Sequence, residues 1–361
     1  MTTNPVRMKW FSGSFLYRLL LLSSFHSVSF AQSQKYVPAV IVIADQNIFS
    51  DPPFGQCHSS SIVQLSDGSL LSTWFAGPYE SSKLVTIYTS SYRNGTWTKP
   101  RQVADGIEND TIRYACWNPV LVVTPANTVF LYYKVGPSPR EWWGMMKWSY
   151  NNGKTWSQAQ RLPEGFLGPI KNKPFIRSDG TMLHPSSTES LDEKTWQIHI
   201  ERSDSASENW FRIPVRNDTF GVIQPTILKY PNNRLQMLSR SRQNVIVQSW
   251  SDDNGETWST LTKTNLLNPN SGIDAVTLKN GYQLLVYNPA TKGKDWSDGR
   301  NELRVALSKD GINWQDVHTL IKEAKGEFSY PAVIQDSHNL IHITYTHNRT
   351  NIRHVILQMA D

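Results

Sequence analysis

Asn118-Pro119-Val120-Leu121 sets a polar residue at the head of a short apolar run. The same arrangement recurs as His58-Ser59-Ser60-Ser61-Ile62-Val63, Lys173-Pro174-Phe175-Ile176 and Gln224-Pro225-Thr226-Ile227. Asp274-Ala275-Val276 and Tyr330-Pro331-Ala332-Val333 complete a set of six. Each run continues through a turn into a second apolar run. With Ser59, Asn118, Lys173, Gln224, Asp274 and Tyr330 as equivalent points, the steps are 59, 55, 51, 50 and 56 residues. A strand repeat of roughly 40–50 residues marks a β-propeller blade. The spacing predicts an all-β, six-bladed ring whose polar heads gather around one axis.

A second repeated signal runs out of phase with the first. Ser251-Asp252-Asp253-Asn254-Gly255-Glu256-Thr257-Trp258 is its best copy, Trp148 to Trp156 a looser one, and Ser308 to Trp314 a near match. Worn copies end at Trp97 and Trp210. In such a hairpin turn Asp or Asn accepts backbone hydrogen bonds, Gly supplies positive φ, and Trp packs between blades. The sixth repeat is one strand short, and Tyr36 to Ile43 is the segment expected to complete it and close the ring.

These turns resemble the Asp-boxes of the sialidase-like propellers, a likeness that speaks first to fold. Within that superfamily the chain is similar to a divergent group of Asp-box (BNR) repeat proteins. The motifs are Cys57-His58, Trp117-Asn118-Pro119-Val120, Lys171-Asn172-Lys173-Pro174, Ile223-Gln224-Pro225, Asn268 to Asp274 and Phe328-Ser329-Tyr330-Pro331. Together they span residues 57 to about 358.

Composition narrows the function classes. The 361 residues are 39% hydrophobic with 14 Trp, enough for a substantial core, and no Pro-, Gly- or Ser-rich linker divides them. A formal charge of +6 with only 18% charged residues, and no Lys/Arg run, argues against a nucleic-acid partner. Arg7, Lys9 and Arg18 precede Leu19 to Leu22, and Ser29-Phe30-Ala31 offers a cleavage site. This layout predicts a signal peptide over 1–31 and a single propeller domain over 32–361. The apolar run is too short for a membrane span. Sequons at Asn94, Asn109, Asn217 and Asn348 agree with a secreted glycoprotein. Cys57 and Cys116 are either a bridge between neighbouring blades or two buried thiols. No metal-ligand spacing appears among the nine His, and no cofactor is implied.

The rim that carries the heads also collects Glu80, Lys134, Arg140, Glu189, Arg240, Arg242 and Arg300. Arginines converging there suit a carboxylate, which a guanidinium grips in a bidentate way. The sialidase resemblance implies an arginine clamp and a tyrosine nucleophile, and it assigns Arg240, Arg300 and Tyr330 to them in order. It also implies departures. His58 stands where a first arginine is expected, Gln224 stands where a carboxylate would polarise the tyrosine, and Glu80 is the carboxylate nearest the usual acid/base position. Glu327 could serve Tyr330 only if a bulge intervenes, since the two are three residues apart on one strand. The expected catalytic set is Tyr330, Glu80, Glu189 and His58. The expected substrate-binding set is Arg240, Arg300, Lys173, Asn118, Gln224, Asp274, Lys134 and Arg242.

Three functions remain open on these residues. One is a secreted exo-glycosidase that removes a terminal acidic sugar, sialic acid or a relative, from an oligosaccharide or glycoconjugate. A second is a uronate-directed lyase or hydrolase in which His58 and Tyr330 act as acid and base. The third is a glycan-binding propeller without turnover, which Gln224 favours.

Overall fold

The computed structural model describes residues 38–360, so the expected signal peptide lies outside the described residues. The strands form six antiparallel sheets, one per repeat. The inner strands are Gln56–Gln64, Ala115–Val123, Phe175–Ile176, Val222–Lys229, Asp274–Thr277 and Phe328–Gln335. In blades 2 to 5 the next three strands in sequence complete the sheet, and blade 1 adds a split outer edge. Blade 6 draws its fourth strand from the other end of the described chain. Val40–Asn47 pairs antiparallel with Asn351–Met359. The ring closes as expected, a few residues later than the sequence places the strand.

The core lies between the blades. Leu71 and Phe75 of blade 1 pack on Leu121, Leu131 and Tyr133 of blade 2. Equivalent clusters join blades 2 and 3, 3 and 4, 4 and 5, and 5 and 6. Ile48, Phe49, Cys57, Trp74 and Ile352 join blade 6 to blade 1. Each Asp-box turn supports one of these joints. In the best copy, Asp253 accepts the Thr257 N–H at 2.9 Å and Ser251 Oγ accepts the Gly255 N–H at 2.7 Å. Gly255 (φ +89°) approaches so closely that a Cβ there would meet Leu183 Cδ1 of the preceding blade at 2.3 Å. Trp258 joins the same cluster as Leu183. Only glycine fits.

Four of the six polar heads share a conformation. Ser59, Asn118, Gln224 and Tyr330 adopt φ of 57°, 36°, 58° and 53°. At each of them the inner strand slips register against its neighbour, a β-bulge. The bulge frees backbone donors and re-aims the head side chain. Hydroxyls of the adjoining blade take up the freed groups. Ser59 N–H donates to Thr346, Leu121 N–H to Ser61, and Gln224 N–H to Ser187, all at 3.1–3.2 Å. Blade 6 uses a carboxylate instead, with Val333 N–H donating to Asp274 at 2.9 Å.

Cys57 and Cys116 are free and buried, so of the two sequence-based alternatives the structure has the buried thiols. Burial pushes both thiols well above their ordinary pKa. Among the described residues no helix is long and apolar enough to cross a membrane, and no group of three or more His, Cys, Asp or Glu is placed to hold a metal ion.

Candidate active site

Tyr330 stands at the centre of the hub. Its phenol oxygen accepts from Arg240 Nη1 at 2.9 Å and from Gln224 Nε2 at 3.3 Å. Arg240 comes from the second strand of blade 4, where Ile223 and Arg240 are cross-strand partners. Its other donors go to Asn270 Oδ1 at 2.9 Å, to the Asn270 carbonyl and to Gln224 Oε1 at 3.2 Å. The guanidinium beside Tyr330 is thus hydrogen-bonded to neutral groups, and it keeps a positive field on the phenol.

Two further arginines flank this pair. Arg300, just before the third strand of blade 5, donates to Glu327 at 3.2 Å. Arg349 lies in the turn between Ile341–His347 and Asn351–Met359. Its Nε donates to Glu327 at 2.7 Å and its Nη1 to Glu80 at 2.5 Å. The turn is tied to blade 1 by the Cys57 N–H, which donates to the Arg349 carbonyl at 2.7 Å. Trp296 covers both guanidinium groups, 5.1 Å from Arg300 and 4.9 Å from Arg349, while remaining 62% exposed. The bulge at Tyr330 lets Glu327 join this cluster despite being three residues away.

His58 is buried, and its ring centroid is 4.1 Å from that of Tyr330. Burial, then the charges of Arg349, Arg300, Lys171 and Arg240, push its pKa well below the ordinary value. The imidazole is neutral, and its Nδ1 has no hydrogen-bond partner. Glu189 is half-buried at the end of the second strand of blade 3. Burial raises its pKa, opposed chiefly by Arg240. A carboxyl in that state keeps its proton to higher pH than a solvated one.

The hub has a floor. Lys171, on the segment before the short inner strand of blade 3, reaches across to blades 5 and 6. It donates to Ile273 O at 3.1 Å, Pro331 O at 2.5 Å and Asn172 Oδ1 at 2.9 Å. Asn172 in turn donates to the Gln224 and Pro225 carbonyls. Burial draws the Lys171 ammonium down to about 7.

The residues expected at the site therefore separate into groups. Tyr330, Arg240, Arg300, Gln224, His58 and Glu80 come together, and Glu189 stands near Arg240. Asn118 lies buried at the head of its own inner strand. Lys173 and Asp274 lie elsewhere. They pair at 2.7 Å and line a cavity with Val63, Val123 and Gln335, at the far ends of the inner strands. Asp274 also accepts from Thr226 and from Val333 N–H, so its oxygens serve the ring joint. Lys134 is fully buried and donates to the Pro169 carbonyl between blades 2 and 3. Arg242 stacks on Trp196 at 3.9 Å in a cleft between blades 3 and 4. Arg140 pairs with Glu193. For Lys134, Arg242 and Arg140 the rim position is right, but side-chain direction or burial takes them out of the hub.

Arg349 and Lys171 are absent from the sequence-based site. Arg349 sits in the sequon Asn348-Arg349-Thr350, which reads as an ordinary turn. Lys171 and Lys173 both lie on irregular chain before Phe175–Ile176, where no strand alternation assigns their directions, so the motif Lys171-Asn172-Lys173 pointed to the correct segment but not to the correct lysine.

The comparisons with known proteins agree with this architecture. A protein of unknown function from Dyadobacter fermentans is 14% identical, with a TM-score of 0.72 over 90% of this chain and 100% of that one. The Hadza microbial sialidase Hz136 is 18% identical, with a TM-score of 0.69 over 85% of this chain and 66% of that one. The leech intramolecular trans-sialidase, solved with 2,7-anhydro-Neu5Ac, is 13% identical, with a TM-score of 0.67 over 89% and 70%. At such identities the likeness is one of fold. No curated protein matches the chain in sequence. The family model for the BNR repeat-like domain matches residues 68–343. A sialidase-type propeller, built on Asp-box turns and matched by that model over most of its length, makes this chain a member of the BNR repeat-like domain family.

Proposed function

We propose that the protein is an exo-acting glycosidase that removes a terminal acidic sugar, sialic acid or a close relative. The observation that carries this reading is the placement of Arg240, Arg300 and Arg349 around the phenol of Tyr330. Three guanidinium groups exceed what one phenol requires, and they suit a carboxylate held in a bidentate grip. Trp296 lies exposed over Arg300 and Arg349, on the solvent side of the clamp.

The chemistry follows from the neighbours of Tyr330. An ordinary phenol has a pKa of about 10 and needs a base or a positive field to attack at neutral pH. Gln224 can hold the hydroxyl but cannot take its proton. Arg240 supplies that field and stabilises the phenolate, and neutral His58, its ring tilted at 49° beside Tyr330 with an unpartnered Nδ1, receives the proton. The phenolate attacks the anomeric carbon and forms a glycosyl-tyrosine. Glu189 gives its proton to the departing glycosidic oxygen. Water then attacks the anomeric carbon, Glu189 takes the water's proton, and the Tyr330 oxygen leaves. Glu80, ion-paired to Arg349, orients that guanidinium.

A second reading rests on the His58–Tyr330 pair, which could abstract and return a proton in a uronate lyase. One assay tests both. Purified protein is incubated with sialosides and uronate-capped oligosaccharides while free acidic sugar and the absorbance of unsaturated uronate are followed. Release of free acid, lost in Tyr330→Phe with binding retained, is the expected result. New absorbance without free acid would favour the lyase. Normal turnover by Tyr330→Phe would overturn the assignment of Tyr330.

A further inference from the structure

The turn Asn268-Pro269-Asn270-Ser271-Gly272 leads from blade 4 to the inner strand of blade 5, and it touches three of the hub groups at once. Asn268 Oδ1 accepts the Ser271 N–H at 2.8 Å and so closes the turn. Asn270 then lies at φ +55°, in the left-handed region that asparagine enters more readily than most residues. In that conformation its side-chain oxygen and its carbonyl face the same guanidinium. Arg240 Nε donates to Asn270 Oδ1 at 2.9 Å, and Arg240 Nη2 donates to the Asn270 carbonyl. Arg300 Nη2 donates to that carbonyl too, at 3.4 Å. Two residues on, Gly272 backs the ring of Tyr330, where a Cβ would stand 3.2 Å from Cγ and Cδ2.

The three arginines are not held alike. Arg300 and Arg349 are ion-paired to Glu327, and Arg349 also to Glu80. Arg240 has no carboxylate within ion-pair distance among the described residues, and all its acceptors are neutral. A carboxylate in place of the Asn270 amide would hold the guanidinium firmly, but it would cancel the charge that an anionic ligand and a phenolate require. The amide gives the same acceptor geometry without that charge. We propose that Asn270 is the positioning residue of the clamp: it fixes the direction of Arg240, shares its carbonyl with Arg300, and leaves the charge of Arg240 undivided for an anion. The proposal rests on the acidic-sugar reading of the hub for the identity of that anion, whereas the hold on Arg240 exists without ligand.

Two variants separate position from charge. Asn270→Asp keeps Oδ1 and tolerates the left-handed backbone, and it adds a negative charge. Asn270→Gly keeps the backbone and its carbonyl and removes Oδ1. The first readout needs no ligand. In protein with isotope-labelled arginine, the Arg240 Nε–H, identified by its absence in Arg240→Lys, should exchange slowly with solvent in the wild type and in Asn270→Asp. In Asn270→Gly it should exchange at least about tenfold faster. Fast exchange in the wild type, or unchanged exchange in Asn270→Gly, overturns the positioning role. The second readout is calorimetric titration with N-acetylneuraminic acid and with its methyl ester, which lacks the negative charge. The wild type should prefer the acid, and Asn270→Asp should lose about ten- to hundredfold of that preference. Asn270→Gly should keep the preference while its kcat on 3′-sialyllactose falls about tenfold, because a loosened Arg240 still attracts but no longer orients. An undiminished preference in Asn270→Asp overturns the need for a neutral holder. If the wild type binds neither compound, the acidic-sugar reading falls, and the exchange result alone upholds or overturns the hold on Arg240.

Discussion

Arg349 takes its place beside Arg300 through a single carboxylate, Glu327, which accepts from both. Removing one guanidinium from a clamp of three costs a charge-assisted interaction with the ligand, about 1.5–3 kcal/mol. Arg349→Ala should therefore raise KM for an acidic substrate roughly ten- to hundredfold. It should leave the melting temperature little changed, because Arg300 keeps Glu327 paired. Steady-state kinetics and a thermal melt on the same preparation check both halves. Glu189 predicts a pH profile. Its folded-state pKa is raised, so the proton it donates is present at low pH and is lost as pH rises through that value. kcat/KM should fall on the alkaline side, and Glu189→Gln should remove that limb while slowing substrates with poor leaving groups most. The same shift has a stability consequence of the same sign. The folded state holds this proton more tightly than the unfolded chain, so the contribution is present below the ordinary carboxyl range and fades as pH rises through the raised value.

Among the elements, the segment before the third inner strand departs most from the repeat. Its regular pairing shrinks to Phe175–Ile176, and the freed chain carries Lys171 across the hub. Lys171→Met would leave the Ile273 and Pro331 carbonyls buried without their donor, at about 1–3 kcal/mol each. The expected outcome is a loss of about 2–5 kcal/mol, read as a lower urea midpoint. Because Lys171 is drawn down to about 7, the unfolded chain binds one more proton than the folded one between that value and 10.5. The wild type should gain stability across that window, and the Met variant should lose that slope. Much of this element logic was legible in the sequence. The heads marked the inner strands because a polar residue before an apolar run has one consistent place in a blade, and the boxes marked the outer turns because Gly and Asp have fixed tasks there. What sequence could not supply was side-chain direction. The bulge at Tyr330, where φ is positive, joins Glu327 to its face, whereas Lys173 lies on irregular chain before Phe175–Ile176 and pairs with Asp274 away from the hub. Lys134 reads like a rim cation, yet its strand is buried on both faces.

At the scale of the whole molecule, the ring is held by a pairing between the two ends of the described chain. Deleting 38–47 would expose the edge of Asn351–Met359, an unpaired ladder open to other chains. Such a truncation should melt at lower temperature and form soluble aggregates, seen by size-exclusion chromatography with light scattering. Hydrogen bonds at that seam come from both sides, Ile48 N–H to Ile352 O and Cys57 N–H to Arg349 O. The turn that bears Arg349 is therefore fastened by the same few residues that keep the circle shut. Grip on an anion and integrity of the join become one mechanical unit. A bound acid should slow deuterium uptake along Val40–Asn47, although no atom of that strand comes near the ligand, and fraying of the strand should show itself first as a weakened hold on substrate.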